Sequence, residues 1–102
     1  MTYDVQITIL KKLQATAICQ EYAKNPQLDC CPKGEVGQMY VSTDGQMPAG
    51  FCPGAWEGLA GKAAFLAEGK DSPYVRQTGV AIHCCNDGLH PVIFKLERIV
   101  EA

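Results

Sequence analysis

The chain has 102 residues, and its nine Lys and Arg against eleven Asp and Glu leave a formal net charge of −2. This length predicts a single domain, residues 1–102, and the lack of a basic excess argues against nucleic-acid binding. Apolar residues are spread along the whole chain, which excludes disorder, and no apolar run approaches the roughly 18 residues that cross a bilayer. Six cysteines are the compositional excess.

The start of the chain predicts a cytoplasmic protein. Residues 1–5 carry no cationic segment, and the apolar stretch after them ends at Lys11-Lys12 without a small-residue cleavage site, so we expect no signal peptide. Thiols stay reduced in the cytosol, which disfavours a disulfide framework. The cysteines are therefore expected to be metal ligands, reactive thiols or buried small side chains.

Hydropathy patterns divide the first two thirds of the chain into strands, helices and loops. Val5, Ile7 and Ile9 alternate with residues of the opposite face, which is typical of a half-buried strand. In chain order we predict this strand over 5–10, a helix over 13–24, a loop over 25–37, a short strand over 38–42, an irregular stretch over 43–54 and a helix over 56–68. Lys11 and Lys12, which follow the first strand, are expected in solvent.

The last third of the chain predicts a β-hairpin. A strand over 80–85 and a strand over 91–100 flank turn residues at 86–88. Side chains alternate along a strand, so the even-numbered residues of the first one, Cys84 included, are expected to point toward the core. Cys85 is expected to point the other way or into the turn. The whole pattern predicts an α+β fold, in which a small antiparallel sheet carries two helices and the chain ends in a C-terminal β-hairpin.

The cysteines lie mostly where the backbone can aim side chains freely. Five of the six fall in predicted loops or at a strand end, whereas Cys19 lies in the first predicted helix and is expected in the core. Cys31 and Cys52 each precede a proline, which holds the cysteine extended and orients its sulfur, a setting in which iron–sulfur ligands occur. No C-x-x-C spacing occurs, which makes zinc the less favoured metal.

Three cysteine-bearing segments form the most specific motifs of the chain. They are Cys31-Pro32 followed by Gly37-Gln38, residues 48–52 (Pro-Ala-Gly-Phe-Cys) with Ala55-Trp56, and residues 84–92 (Cys-Cys-Asn-Asp-Gly-Leu-His-Pro-Val). Together they resemble an uncharacterised family of cysteine-bearing proteins from anaerobic bacteria and archaea, with domains of roughly 100 residues. The resemblance covers nearly the whole chain and implies an anaerobic, cytosolic setting, with no activity attached. It identifies the family's cysteines as Cys31, Cys52, Cys84 and Cys85, and His90 departs from it where arginine is usual.

Three classes of function are open for these cysteines. In the first, four thiolates hold a metal centre, most favourably an iron–sulfur cluster, and the protein acts in electron transfer or redox sensing with a redox partner protein. Its ligands would be Cys31, Cys52, Cys84 and Cys85. In the second, Cys52 or Cys85 is the nucleophile of a thiol-dependent enzyme and His90 its base, and the helix predicted just after Cys52 lowers the pKa of that thiol. In the third, the chain is a structural or interaction module without chemistry.

The chain is also expected to form a homo-oligomer. Both chain ends are predicted strands, so at least one of them is expected at a sheet edge, and unprotected edges pair with other strands. The second helix offers a face of small residues suited to close packing against a neighbour, namely Ala60, Ala63, Ala64 and Ala67. No number of subunits is preferred, and neither a membrane nor a nucleic acid is expected as a partner.

Overall fold

The structure is a computed structural model and describes residues 2–27, 31 and 33–100. In chain order its elements are β1 (Val5–Lys12), α1 (Thr16–Tyr22), β2 (Met39–Ser42), α2 (Pro53–Ala67), β3 (Val80–Cys84) and β4 (Val92–Arg98). A four-stranded antiparallel sheet with these two helices confirms the predicted α+β class, and β3 with β4 forms the predicted C-terminal hairpin. None of the described helices is long and apolar enough to cross a membrane.

Both helices begin at residues other than those predicted, for local reasons. α1 starts three residues later than the predicted bound, because the backbone N–H groups of Leu13 and Ala15 donate to the carbonyl oxygens of Pro91 and Leu89 and keep the chain extended. α2 starts three residues earlier than the predicted bound, at Pro53. Proline suits the first turn of a helix, because its φ is already helical and the N–H that it lacks would have no partner there.

The sheet has the strand order β2-β1-β4-β3, and every neighbouring pair is antiparallel. β1 and β4 therefore lie in the middle of the sheet, and the prediction that one chain end would form an edge is wrong. These two strands are the longest and carry the main apolar rows, with Ile7 opposite Leu96 and Ile9 opposite Phe94. Pairing them at the centre buries both rows, whereas edge positions would leave one flank of each row in solvent.

The core lies between one face of this sheet and α2. Its buried side chains include Val5, Ile7, Ile9, Phe51, Leu59, Leu66, Ala81, Phe94 and Leu96. Half of the predicted small-residue face of α2 packs on the chain's own sheet, so these residues are not free for a neighbour. Ala63 and Ala67 are buried in this interface, and Ala60 and Ala64 are half-buried. Small side chains let the helix approach the sheet closely, so the packing is of the predicted kind but lies within one chain.

β3 presents its side chains the opposite way from the prediction. Ala81 is only 1% exposed on the side of α2, whereas Ile82 is 45% exposed on the other side of the sheet. Alternate side chains of a strand share a face, so Cys84 lies on the outer side with Ile82, and Cys85 packs against the core. Because α2 contacts β3, the position facing the helix accepts the small alanine in preference to the larger isoleucine.

Arg98, at the end of β4, ties the C-terminal end of α2 to the sheet. Its guanidinium donates hydrogen bonds to the carbonyl oxygens of Leu66 (3.1 Å) and Lys70 (3.0 Å) and to Asp71 Oδ1 (2.8 Å). The same carboxylate accepts the backbone N–H of Gly79 at 3.0 Å. The hydrogen bond from Arg98 is the main reason that the pKa of Asp71 lies below its usual range, and the Gly79 N–H lowers it further.

We expect Asp71→Asn to lower the melting temperature at neutral pH, because a neutral amide binds Arg98 more weakly than a carboxylate does. The folded-state pKa of Asp71 lies below the unfolded value of about 3.9. Its stabilisation is therefore present above that unfolded value and is lost as the pH falls through the folded-state pKa. Thermal denaturation followed by circular dichroism should show the difference between wild type and variant shrinking as the pH is lowered from about 7 toward 3.

Glu68→Gln is the matched control for this experiment. It also removes one carboxylate, but from an exposed ion pair with Lys70, and exposed pairs contribute little to stability. The control should change the melting temperature little at either pH. A D71N effect that stays constant as the pH falls would contradict the stabilising role of the Asp71 charge.

Candidate functional site

Three of the four predicted site cysteines line one pocket of about 360 Å³. Cys31 comes from the loop before β2, Cys52 from the N-terminus of α2 and Cys85 from the position just after β3. The other lining residues come from the same loop, the first turn of α2, the turn after β3 and β4, and they are Lys33, Gly54, Ala55, Asn86, Asp87, Val92 and Phe94. Thiols that are up to 54 positions apart in the sequence (85 − 31) therefore share one solvent-accessible space.

Cys52 occupies the N-terminal cap of α2, in front of Pro53. Its sulfur makes no full capping hydrogen bond. The nearby backbone N–H of Ala55 is nevertheless the largest effect that lowers the pKa of this thiol; burial opposes it, and the N–H of Gly54 and the Lys33 ammonium lower the pKa further. Lys33 Nζ lies 3.8 Å from Cys52 Sγ. Cys52 thus presents a thiolate at lower pH than an ordinary cysteine does.

A second cavity, of about 400 Å³, adjoins the first, since Lys33, Cys52 and Phe94 line both. The ring of Phe51 forms part of its wall and packs edge-on against Tyr40, with ring centroids 4.9 Å apart. Phe51 also contacts Phe94 at 5.5 Å between centroids. The low-pKa thiol therefore lies between two cavities, one of them walled by packed aromatic rings, and a ligand longer than either cavity would pass Cys52.

The loop that carries Cys31 and Lys33 is held by Lys12, at the end of β1. The Lys12 ammonium donates to the carbonyl oxygen of Cys31 (3.0 Å) and to that of Gly34. Lys12 is half-buried, so the expectation that it would lie in solvent is wrong. The two carbonyl oxygens replace the water that its charge gives up on burial. Gly34 has φ +71°, a conformation that favours glycine, and this lets the loop turn back toward β1.

Cys85 and Cys31 are held in different ways. The backbone N–H of Cys85 donates to the carbonyl oxygen of Val92 (3.1 Å), and its sulfur accepts the Val92 N–H (3.3 Å), so the hairpin fixes this residue at the end of the sheet. Cys31 belongs to the loop and is tied through its carbonyl oxygen to Lys12. Of these two thiols, Cys85 is therefore fixed by hydrogen bonds to β4, whereas Cys31 lies outside the strands of the sheet.

The other predicted residues lie away from this pocket. Cys84 is exposed on the outer side of the sheet and lines neither cavity. Cys19 is fully buried, which confirms its predicted core position; its thiol donates to the Leu89 carbonyl oxygen (3.3 Å), and its sulfur lies 3.7 Å from His90 Nε2. His90 is buried as well and lines neither cavity. Cys30 lies outside the described residues.

The turn between β3 and β4 explains the position of His90. The side chain of Asp87 accepts the backbone N–H groups of Leu89 (2.8 Å) and His90 (3.2 Å), and this bends the chain back toward α1. The imidazole therefore contacts Cys19 of α1 and not the pocket thiols. The geometry gives Cys52 a cation and helix N–H groups as activating neighbours, without His90 as a base.

The described residues contain no group of three or more His, Cys, Asp or Glu side chains arranged to hold a metal ion. The alternation of β3 places Cys84 on the outer side of the sheet, while Cys31, Cys52 and Cys85 line the pocket. A cluster bound by all four thiols would require the end of β3 to rearrange. The iron–sulfur site stays a prediction.

Two lysines that shape the pocket, Lys12 and Lys33, were not predicted from the sequence. Lys33 follows Cys31 by two residues, so its charge beside a cysteine-bearing loop was the available signal. Lys12 offered no signal, because a lysine at the end of a strand is typical of a solvated position. Its role arises only when β1 lies beside the loop before β2.

Comparison of the chain with family models, with curated proteins and with solved structures finds no match in any of the three. The resemblance of the three cysteine-bearing segments to a family from anaerobes therefore stays a prediction. A functional assignment has to come from the chemistry of the pocket.

We expect Lys12→Met to destabilise the protein by about 2 kcal/mol, because it leaves the carbonyl oxygens of Cys31 and Gly34 without their charged donor. It should also slow alkylation of Cys52 at neutral pH, since the loop would no longer hold Lys33 near that sulfur. Urea denaturation measures the first effect, and iodoacetamide labelling with peptide mass mapping measures the second.

Lys11→Met is the matched control. Lys11 is the exposed neighbour of Lys12, and its substitution removes the same charge from the same strand. It should change the free energy of unfolding by less than about 0.5 kcal/mol and leave Cys52 labelling unchanged. Equal effects of the two substitutions would show that net charge, and not the bonds to the loop, is responsible.

Proposed function

We propose that this protein is a thiol-dependent enzyme of thiol–disulfide exchange, with Cys52 as the attacking thiolate. The observation that carries the proposal is a thiol of lowered pKa, at a helix N-terminus and beside Lys33, in a pocket that also holds Cys31 and Cys85. Exchange needs a thiolate, a second thiol within reach and access for the substrate. A thiol of lowered pKa, two further thiols in the lining and a pocket open to solvent support the proposal.

The first step forms a mixed disulfide. The Cys52 thiolate attacks one sulfur of a substrate disulfide, a bond forms between the two sulfurs, and the substrate S–S bond breaks with its electron pair on the leaving sulfur. Lys33 and the N–H groups at the start of α2 stabilise the negative charge on Cys52 before the attack. The lowered pKa of Cys52 raises the fraction of its thiol that is ionised, so the step needs no dedicated general base.

In the second step a neighbouring thiol, as its thiolate, attacks the Cys52 sulfur of the mixed disulfide. An intrachain disulfide forms and the remaining substrate thiolate leaves, so the substrate is reduced by two electrons and the protein is oxidised by two. A cellular dithiol would return the protein to its reduced state by the same exchange chemistry.

We assign the second thiol to Cys31. It lies two residues from Lys33, whose Nζ lies 3.8 Å from the Cys52 sulfur, and its own position is outside the strands of the sheet. A disulfide requires α-carbons within about 7 Å, so the attacking residue must be able to approach. Cys85 is less suited, because its backbone and sulfur are both bound to Val92 at the end of the hairpin.

The test is reaction with excess 5,5′-dithiobis(2-nitrobenzoate) at pH about 7, followed by stopped-flow absorbance and peptide mass mapping. We expect Cys52 to react first, and Cys52→Ser to remove the fast phase, because free thiols with a pKa of about 8.5 are only slightly ionised at this pH. In Cys31→Ser the mixed disulfide on Cys52 should persist, whereas in Cys85→Ser it should still resolve.

Cys84→Ser is the matched control, since Cys84 is an exposed cysteine outside the pocket. It should leave the fast phase intact. If Cys84 reacts before Cys52, exposure alone governs reactivity and the proposed function fails. It also fails if the labelling rate of Cys52 rises only around pH 8.5, the range of an ordinary thiol.

A metal centre is the second candidate, and the shared pocket of Cys31, Cys52 and Cys85 supports it. Under this alternative the protein would act in electron transfer or redox sensing, with an iron–sulfur cluster favoured over zinc. Anaerobic purification followed by iron, sulfide and zinc analysis decides between the two. Stoichiometric metal that is lost in Cys31→Ser and Cys85→Ser would favour the metal centre, whereas colourless, metal-free protein would oppose it.

A further inference from the structure

The face of the sheet opposite α2 is not covered by any described helix and has an ordered pattern. We call it the outer face. Its two edge strands carry apolar side chains, with Met39 and Val41 on β2 and Val80 and Ile82 on β3. Met39 is 61% exposed, and Val41 and Ile82 are each 45% exposed. Large apolar side chains exposed together on one face are typical of an interaction surface.

Over two rows of the sheet the central strands carry polar side chains on this face, whereas Ile93, the next outward residue of β4, is apolar. β1 contributes Gln6 and Thr8, and β4 contributes Lys95 and Glu97. Lys95 Nζ lies 3.6 Å from Glu97 Oε1, and about a third of each side chain is exposed. Thr8 Oγ1 is buried and is the one such side-chain oxygen or nitrogen without a hydrogen-bond partner among the described residues.

The strand register arranges these residues in rows across the sheet. One row runs Val41, Gln6, Glu97, Val80, and the next runs Met39, Thr8, Lys95, Ile82. Each row is apolar at both ends and polar in the middle. From β2 to β3 the four strands therefore present apolar, polar, polar and apolar side chains. This order is the same from either edge of the sheet, although the residues themselves differ.

We propose that the outer face binds a second copy of this chain. The two copies are related by a two-fold axis that runs parallel to the strands, between β1 and β4. This axis places β2 of one chain over β3 of the other, and β1 over β4. Each row then lies over the same row of the second copy. Met39 then faces the partner's Ile82, and Val41 faces the partner's Val80. Apolar columns meet apolar columns, which is the self-complementarity that a two-fold contact requires.

The polar centre matches under the same operation. Thr8 faces the partner's Lys95, so no charge of like sign opposes that ammonium. The Gln6 amide, which already donates to Glu97 (3.4 Å) and to the Met39 sulfur (3.3 Å) of its own chain, faces the partner's Glu97, a second carboxylate acceptor. Each contact occurs twice by symmetry, so no like charges are brought together at the centre, and the arrangement also favours one register over others.

The size of the face sets the expected affinity. Four strands about 4.8 Å apart and two to three residue rows about 6.8 Å apart give a footprint of roughly 250 to 400 Å² per chain. A standard stable interface buries about 800 Å² per partner, so the dimer should be weak and should dissociate on dilution in the micromolar range. The pocket of Cys52 lies on the other face of the sheet, so dimerisation leaves it open.

The test is sedimentation equilibrium of the full chain from about 10 µM to 1 mM. The average mass of the wild type should rise from the 11.0 kDa of one chain toward twice that value. Met39→Glu and Ile82→Lys should each weaken association at least tenfold, since each puts an unpaired charge over an apolar side chain. Both positions are exposed, so the variants should fold, which circular dichroism checks.

The double variant M39E/I82K provides the sharpest result, because the two-fold axis brings Glu and Lys together twice and should restore the dimer. The twist between stacked sheets displaces the outer columns slightly, and these long side chains can span that displacement. M39E/Y74K has the same net charge, but Tyr74 lies on the loop between α2 and β3, where it is 91% exposed, so this control should not be restored.

Each alternative outcome overturns the proposal. A wild type that stays at the mass of one chain throughout shows that the face does not bind a copy, as does unchanged association of Met39→Glu. Single variants that dissociate without rescue by the double variant exclude this two-fold arrangement, for example in favour of pairing between strand edges. Labelling of Cys52 should be the same in all these variants, so failure here is separate from failure of the thiol chemistry.

Discussion

The antiparallel pairing of β1 with β4 at the centre of the sheet is the constraint on which the rest of the structure depends. The register of Ile7 opposite Leu96 gives the sheet one continuous apolar face, and α2 packs on that face. The same pairing places the end of β1, with Lys12, beside the start of β4. At this end of the sheet Lys12 binds the loop of Cys31, and Val92 binds Cys85. The pocket therefore forms where these two ends of the central strands lie side by side.

The cysteines of this fold differ in the surroundings of their sulfurs, and these surroundings set how reactive a thiol is. Cys19 is fully buried and bonded to a backbone carbonyl, so it packs as a core residue. Cys84 is exposed but lies on the outer side of the sheet, away from the pocket. Cys52 combines access with a helix N-terminus and a nearby cation, and these lower its pKa. A candidate nucleophile is distinguished by a sulfur that solvent can reach and by neighbours that stabilise its thiolate. Neither property alone is sufficient.

The two faces of the sheet separate the two proposed roles. The inner face packs on α2 and holds the thiol pocket at its edge, so chemistry is placed where packed elements position the side chains. The outer face lacks a covering layer and keeps a pattern of apolar edges around a polar centre. A sheet of this size buries only one face with a single long helix, and this leaves the second face available to a partner.

The sequence by itself determined the periodicity of the elements: the alternation from Val5, the helical spacing that became α2, and the turn shaped by Asp87 all followed from local pattern and turn chemistry. It also indicated that Cys52, just before a helix, could become a reactive thiol. Only the tertiary structure decided which side of β3 faces the helix, because Val80 and Ile82 are as compatible with a buried row as Ala81 is. The contacts of Lys12, Lys33 and His90 were likewise decided by strand order. Local pattern determines the periodicity of an element. Which side of it is buried, and which residues it contacts, depend on segments that are distant in the sequence.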